Sequence, residues 1–331
     1  MTTRRKAIFF AAALAALHSA GANAAAPLEQ AQQTLKGKTV RIFVPYAAGG
    51  STDAIARQLA LELGREFQAN VIVENRSGGN SIIAVQALLA APADGLSLLV
   101  SEGIPITVNP KIFNKLPYNP DTDLRPVGTL ASFPMIAVTG LDAPYSNLKE
   151  LAAAIRRSPN SINQATAGIG TLDHMAGGLF AQVAGISLPN IAYKGAAPAL
   201  NDIMAGHVQV MFTDLPSGLP YVTGQKVKAL ATTGETRSAQ LPDVPTGSEA
   251  FPGYSFSGVF AVYAHGQTDT KTSEMLNAAI NHAVRSESMA EFLKGRNFTA
   301  FVSNLPEHKA FVSKEVTLYS KVLDGLKLPK N

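Results

Sequence analysis

The apolar positions of this chain fall into short runs that alternate between two periods. Val40 to Val44 is an apolar run of strand length, and after a polar loop Ile55, Leu59, Leu63 and Phe67 recur four apart, on one face of a helix over Ala54–Phe67. Val71–Glu74 reads as a second strand, Gly78-Gly79-Asn80 as the opening of a helix over Ile82–Ala90, and Ser97–Ser101 as a third strand. Strands and helices in βαβαβ order predict a mostly parallel sheet with helices on both faces. The pattern then restarts. Met135–Val138, Ile162–Ala165, Pro189–Ala192, Val208–Phe212 and Lys228–Ala231 read as strands. Ser146 is placed to cap a helix through Arg157, and another helix follows Gly168 as far as Val183. Gly258–Tyr263 returns as a strand, and helices over Lys271–Arg285 and Pro306–Leu326 close the chain.

The N-terminus stands outside this alternation. Arg4, Arg5 and Lys6 precede an apolar run over Ala7–Leu17, and Ala22-Asn23-Ala24 is a small-x-small cleavage site. Residues 1–24 therefore read as an export signal, too short in its apolar part for a span of about 20 residues. That segment holds three of the 28 Lys plus Arg and none of the 24 Asp plus Glu, so its removal lowers the formal charge from +4 to +1. A near-neutral chain without basic runs excludes an electrostatic footprint for nucleic acid. No cysteine is present, so disulfides and thiolate metal sites are excluded, and the location expected is a bacterial periplasm.

Two loops carry the candidate chemistry, each between a strand and a helix: Ala48-Gly-Gly-Ser-Thr-Asp53 and Gly168-Ile-Gly-Thr-Leu-Asp-His174. The first N–H groups of a helix lack intrahelical partners and carry the positive end of its dipole, and glycine lets a ligand approach them. One such loop in each repeat of the pattern predicts a cleft with anion-binding donors on both walls. Asp53 reads either as a contact to a ligand ammonium or as a first-turn carboxylate that steadies its helix. His174 reads as a donor to an anion or as a buried structural histidine. Glu102 follows the third strand at a cleft-facing place, where it repels an anion unless it points away or meets an ammonium group. Lys194 is a further source of positive charge. The patterns of enzymes and metal sites are missing: no dinucleotide or phosphate-loop fingerprint, no GxSxG elbow, and no metal-ligand spacing among His18, His174, His207, His265, His282 and His308. No cofactor is expected. The alternative from another class is a secreted α/β hydrolase with Ser51 as nucleophile.

At these residues the chain resembles the periplasmic solute receptors of tripartite tricarboxylate transporters, the Bug-type receptors. The resemblance rests on Val44-Pro-Tyr-Ala-Ala-Gly-Gly-Ser-Thr-Asp53, Val73-Glu-Asn-Arg76, Ala93-Asp-Gly95, Asn109-Pro110 and Leu116-Pro-Tyr118, and continues through Gly168-x-Gly-Thr-x-x-His174, Tyr193-Lys-Gly195, Ala197-Pro-Ala-Leu200 and Leu241-Pro-Asp-Val-Pro-Thr246. It implies a two-lobed α/β periplasmic-binding-protein fold that closes on a small carboxylate and delivers it to membrane permease subunits, without catalysis. The expected ligands are di- or tricarboxylates, acidic amino acids or aromatic acids, and a monomer is expected of a receptor that hinges. A receptor that feeds a signalling partner is the other variant. The lobes implied are 36–131 with 258–331, and 132–257. Carried onto this chain, one wall of the site is Tyr46, Ala48, Gly49, Ser51 and Asp53 with Ser101, and the other is Gly168, Gly170, Thr171 and His174 with Asp214. The chain departs from the family pattern over Gly258–Gln267 and at Glu102, where a small residue is usual.

Overall fold

The computed structural model describes residues 26–193, 195–326 and 328. The segment read as an export signal and Lys194 lie outside the described residues. Ten strands form one continuous sheet: β1 Thr39–Val44, β2 Asn70–Asn75, β3 Ser97–Glu102, β4 Leu124–Thr139, β5 Gln164–Thr166, β6 Asn190–Ala192, β7 Val210–Asp214, β8 Lys228–Thr232, β9 Ser257–His265 and β10 Thr299–Ala300. Their order is β2-β1-β3-β9-β4-β7-β5-β6, with β8 and β10 both pairing β4.

Each repeat of the sequence pattern has become a parallel trio, β2-β1-β3 in one half and β6-β5-β7 in the other. Every antiparallel pairing involves β4 or β9. The 16-residue β4 joins the halves. Its residues from Leu124 to Pro134 pair β9, and from Met135 on it pairs β7, so it changes partner at Pro134/Met135. The chain returns at Ser257, opposite Pro134.

The sequence pattern predicts only the last part of β4. Pro126, Gly128 and Pro134 break its apolar run, but Pro126 and Gly128 sit where the register to β9 shifts and Pro134 at the end of that pairing, places where a missing N–H or side chain is tolerated. The helix Ser51–Phe67 buries Ile55, Leu59, Leu63 and Phe67 as its spacing predicts. Each such side chain contributes roughly 1.5–3 kcal/mol by leaving water. One cap is corrected. Asn147 rather than Ser146 caps the helix Leu148–Arg157, its side chain accepting from the Glu150 N–H, while the Ser146 N–H donates to the Glu150 carboxylate. The helices Leu215–Thr223 and Glu287–Gly295 have no counterpart in the predicted pattern.

The C-terminal helix, Leu305–Leu326, packs on β4, on the short helix Ile104–Thr107 of the first half and on Leu172–Ala184 of the second. Gln182 donates to the Val322 carbonyl at 2.7 Å, and Tyr319 stacks on Phe256. It therefore ties the two halves together beside the crossing strands. Among the described residues no helix is long and apolar enough to cross a membrane.

Candidate functional site

Both glycine loops lie at the carboxyl ends of parallel strands, the first after β1 and the second after β5. Ligands of open α/β sheets bind at that end. Two hollows on the surface lie at the opposite end. One, of about 620 Å³, begins at Thr139, which pairs the first residue of β7, and the other, of about 720 Å³, is lined by Thr39, Arg41 and Ser97 at the starts of β1 and β3.

The helices that leave the two loops share an omission. Ser51–Phe67 starts at Gly50 and Leu172–Ala184 at Thr171, and neither start has a side-chain cap on its first-turn N–H groups. The helices starting after Asn147, Thr246, Asp269 and Ser286 have side-chain caps, while Ile82–Leu89 and Ala196–Met204 also start without one. A side-chain cap is worth about 1 kcal/mol, so two uncapped starts at the cleft keep donors available at a cost in stability.

The loops face each other across the crossing strands. Ser51 Oγ donates to Asp214 Oδ1 at 3.0 Å, and Asn80 Nδ2 donates to the Ile169 carbonyl at 2.9 Å. Gly170, with φ +78°, is buried so closely that a Cβ there meets Ile112 Cδ1 at 2.9 Å and Val108 Cγ1 at 3.0 Å, both in the first half. The walls are therefore in contact.

In the first wall Ala48 and Gly49 are exposed and Tyr46 and Ser51 half-buried. Asp53 is turned inward. Oδ2 accepts from the Gly49 N–H at 2.9 Å and from Arg57 Nε at 3.0 Å, and Oδ1 accepts from Asn75 Nδ2 at 2.9 Å. Burial pushes the carboxyl up, but these hydrogen bonds outweigh it and hold it below the usual range. Its oxygens are engaged in stapling the loop. Ser101 is fully buried, its hydroxyl donating to the Glu102 carbonyl. Glu102 ends β3 beneath the loop, with Oε1 accepting from Thr52 Oγ1 at 2.6 Å.

In the second wall the Gly168 carbonyl accepts from Thr171 Oγ1 at 2.8 Å, which shapes the turn, and the Gly170 N–H donates to His174 Nδ1 at 3.2 Å. Burial lowers His174 to about 4, so the ring is neutral at pH 7 and carries its proton on Nε2. It offers one neutral N–H and no positive charge. Asp214 ends β7 and caps the next helix, Oδ1 accepting from the Ser217 N–H at 2.9 Å as well as from Ser51.

Asp173, inside the second loop motif, is the site residue that the sequence reasoning passes over. It is buried, one oxygen accepts from the Ala167 N–H at 2.9 Å, and burial together with Asp214 and Glu102 pushes it up to about 7. Ser81, Asn80 and Asn109 form a third edge of the cleft, with Asn80 and Ser81 at positive φ. The pair Gly78-Gly79 is the signal that could have found it, because it marks a distorted helix start. Behind Glu102 lie Glu315, Tyr319 and Tyr263; burial pushes Glu315 up to about 8. Among the described residues no group of three His, Cys, Asp or Glu is arranged to hold a metal ion.

The comparisons with known proteins follow this geometry. The sequence model of the tripartite tricarboxylate transporter family receptor matches residues 55–328. Protein BugT of Bordetella pertussis is 30% identical over 306 residues, 92% of this chain and 93% of the relative. Among solved structures, R. palustris Rpa4515 with adipate superposes with a TM-score of 0.82 at 26% identity, covering 89% of this chain and 99% of that one. MatC from Rhodopseudomonas palustris with bound malate gives 0.77 at 26% identity, covering 86% and 99%, and the periplasmic binding protein BugD gives 0.79 at 29% identity, covering 89% and 99%.

Proposed function

The chain belongs to the tripartite tricarboxylate transporter receptor family, and from that premise we propose that it captures a small carboxylate between its two glycine loops and hands it to the membrane permease subunits of such a transporter. Adipate and malate in the related structures support a carboxylate as the ligand. The observation that carries the reading is the pair of uncapped helix starts on facing walls, bridged by Ser51–Asp214 and Asn80–Ile169. In this reading the carboxylate takes its hydrogen bonds from those first-turn N–H groups, and the bridges are clasps of the closed state. Residues 36–131 with 258–331 form one lobe and 132–257 the other, and they swing about the crossing strands β4 and β9. Residues 1–24 direct export to the periplasm. The partner of the Ser51 hydroxyl is a carboxylate and not an imidazole base, which supports capture without turnover.

The test is calorimetry and thermal unfolding with di- and tricarboxylates, amino acids and aromatic acids. A ligand at 100 times its dissociation constant adds about 2.7 kcal/mol of stability. Well-folded protein that responds to no carboxylate in the set refutes the reading. Loss of uptake of the bound compound on deleting the gene tests the transport step.

A further inference from the structure

Glu102 has a free oxygen in a place that does not tolerate one. Its side chain is 6% exposed, and while Oε1 accepts from Thr52 Oγ1, Oε2 has no hydrogen-bond partner. The Tyr46 hydroxyl points toward this carboxylate and toward Ser81, yet Ser81 Oγ, 2% exposed, also has no partner at hydrogen-bonding distance. Unpaired polar atoms this deep cost far more than paired ones, and an ionised one costs most.

The surroundings of these two oxygens are one-sided in charge. Burial raises Glu102 and Asp214 at the end of β7 raises it further, Asp214 and Glu102 both raise Asp173 on the second wall, and Glu102 raises Glu315 behind. Among the described residues none of these four carboxylates forms a salt bridge; Arg57, in the helix that leaves the first loop, is bound to Asp53 at 3.0 Å. His174 is neutral. Glu102 and Asp173 therefore both act on Tyr46, Asp214 acts on both of them, and none of the three is paired with a cation among the described residues. A ligand that brings a second carboxylate to this end adds a like charge and leaves Oε2 unpaired. An ammonium group brings a positive charge and three donors, enough for Glu102 Oε2, Asp173 and the Ser81 oxygen.

We propose that Glu102, with Asp173 opposite, is a specificity-determining pair that selects a ligand carrying a protonated amine as well as a carboxylate, so that the cleft takes an amino acid in preference to a plain dicarboxylate. This rests on the reading that the glycine loops hold the carboxylate end. A site built to pair a buried charge rejects an analogue that cannot pair it more sharply than apolar contacts discriminate.

The experiment is calorimetric titration of the purified protein with two sets of compounds of matched chain length: C4 to C6 dicarboxylates, and α- and ω-amino acids. At least one amino acid binds 100-fold tighter than the dicarboxylate of its length, and Glu102→Gln removes at least tenfold of that preference. Asp173→Asn acts in the same direction and carries the test if the first variant does not fold. A dicarboxylate that binds wild-type protein more tightly than every amino acid overturns the proposal and leaves the carboxylate receptor standing, as does a preference that neither variant changes. Silence from both sets overturns the two together.

Discussion

Asp53 and Asp173 occupy matching places, each in the first turn of the helix that leaves a glycine loop, and their surroundings are opposite. Asp53 accepts from a backbone N–H, an asparagine and Arg57, and is held below the usual carboxylate range. Asp173 has one backbone N–H and two other carboxylates near it, and is pushed up to about 7. The glycines differ in the same way. A Cβ on Gly49 meets nothing within 4 Å, while one on Gly170 meets the other wall. The first loop is fixed by contacts within its own half of the sheet, and the second depends for its fit and charge on what stands opposite; in the proposed receptor they are frame and jaw. Similar loop sequences thus do different work, because the chemistry of a helix start is set by its neighbours across space.

Valine at each glycine breaks this contrast most severely. Gly170→Val places branched carbons between the Gly170 turn and Ile112 and Val108, at φ +78°, so the walls cannot meet. The expected loss of affinity is more than 100-fold, about 2.7 kcal/mol or more, and X-ray scattering shows no compaction with the tightest compound of the panel. Gly49→Val, at φ +96° in open space, strains the backbone by roughly 1–3 kcal/mol and lowers stability without blocking closure. Equal effects of the two variants on affinity refute the division into frame and jaw.

The two aspartates sharpen it through pH. Asp53 is lowered in the fold, so its stabilisation is present at neutral pH and is lost as pH falls through about 4 and below. Asp53→Asn therefore costs about 1–2 kcal/mol at pH 7 and less at pH 3. Asp173 is raised, so its ionisation destabilises the fold; the penalty is absent below pH 4, grows up to pH 7 and is constant above. Asp173→Asn is neutral near pH 4 and stabilises by about 2 kcal/mol at pH 8, within a ceiling of about 4 kcal/mol set by the span of that titration. The groups acting on Asp173 are the Ala167 N–H, Asp214, Glu102 and Tyr46. Denaturant unfolding at pH 4 and 8 measures both variants, and slopes of the same sign refute the contrast.

Much of the frame was legible in the sequence, because strand runs and the four-residue spacing of Ile55, Leu59, Leu63 and Phe67 are local signals. The two loops were legible as donors for the same reason. The first part of β4 was not, since Pro126, Gly128 and Pro134 read as breakers until the register to β9 is known. The meaning of Asp53, Glu102 and Asp173 was illegible as well. All three are carboxylates near a strand or helix end, and only the fold pairs one with Arg57 and leaves the others buried without a cation among the described residues. Charge balance in a cleft is a property of residues far apart in the chain, such as Ser51 and Asp214, 163 positions apart.

That clasp gives the smallest of the expected effects. Ser51 Oγ lies in a half-buried place and loses one hydrogen bond on Ser51→Ala, while Asp214 keeps its bond from the Ser217 N–H. Asp214 is thus not stranded, and the change costs about 0.5–1.5 kcal/mol, a few-fold to roughly tenfold in affinity. The loss should come from faster ligand release, since the clasp forms only once the walls have met. Surface plasmon resonance separates the two rates. An unchanged release rate with slower capture places Ser51 on the approach of the ligand and removes it as a clasp. Turnover of an ester or amide that vanishes with the same substitution moves it to a nucleophile's role.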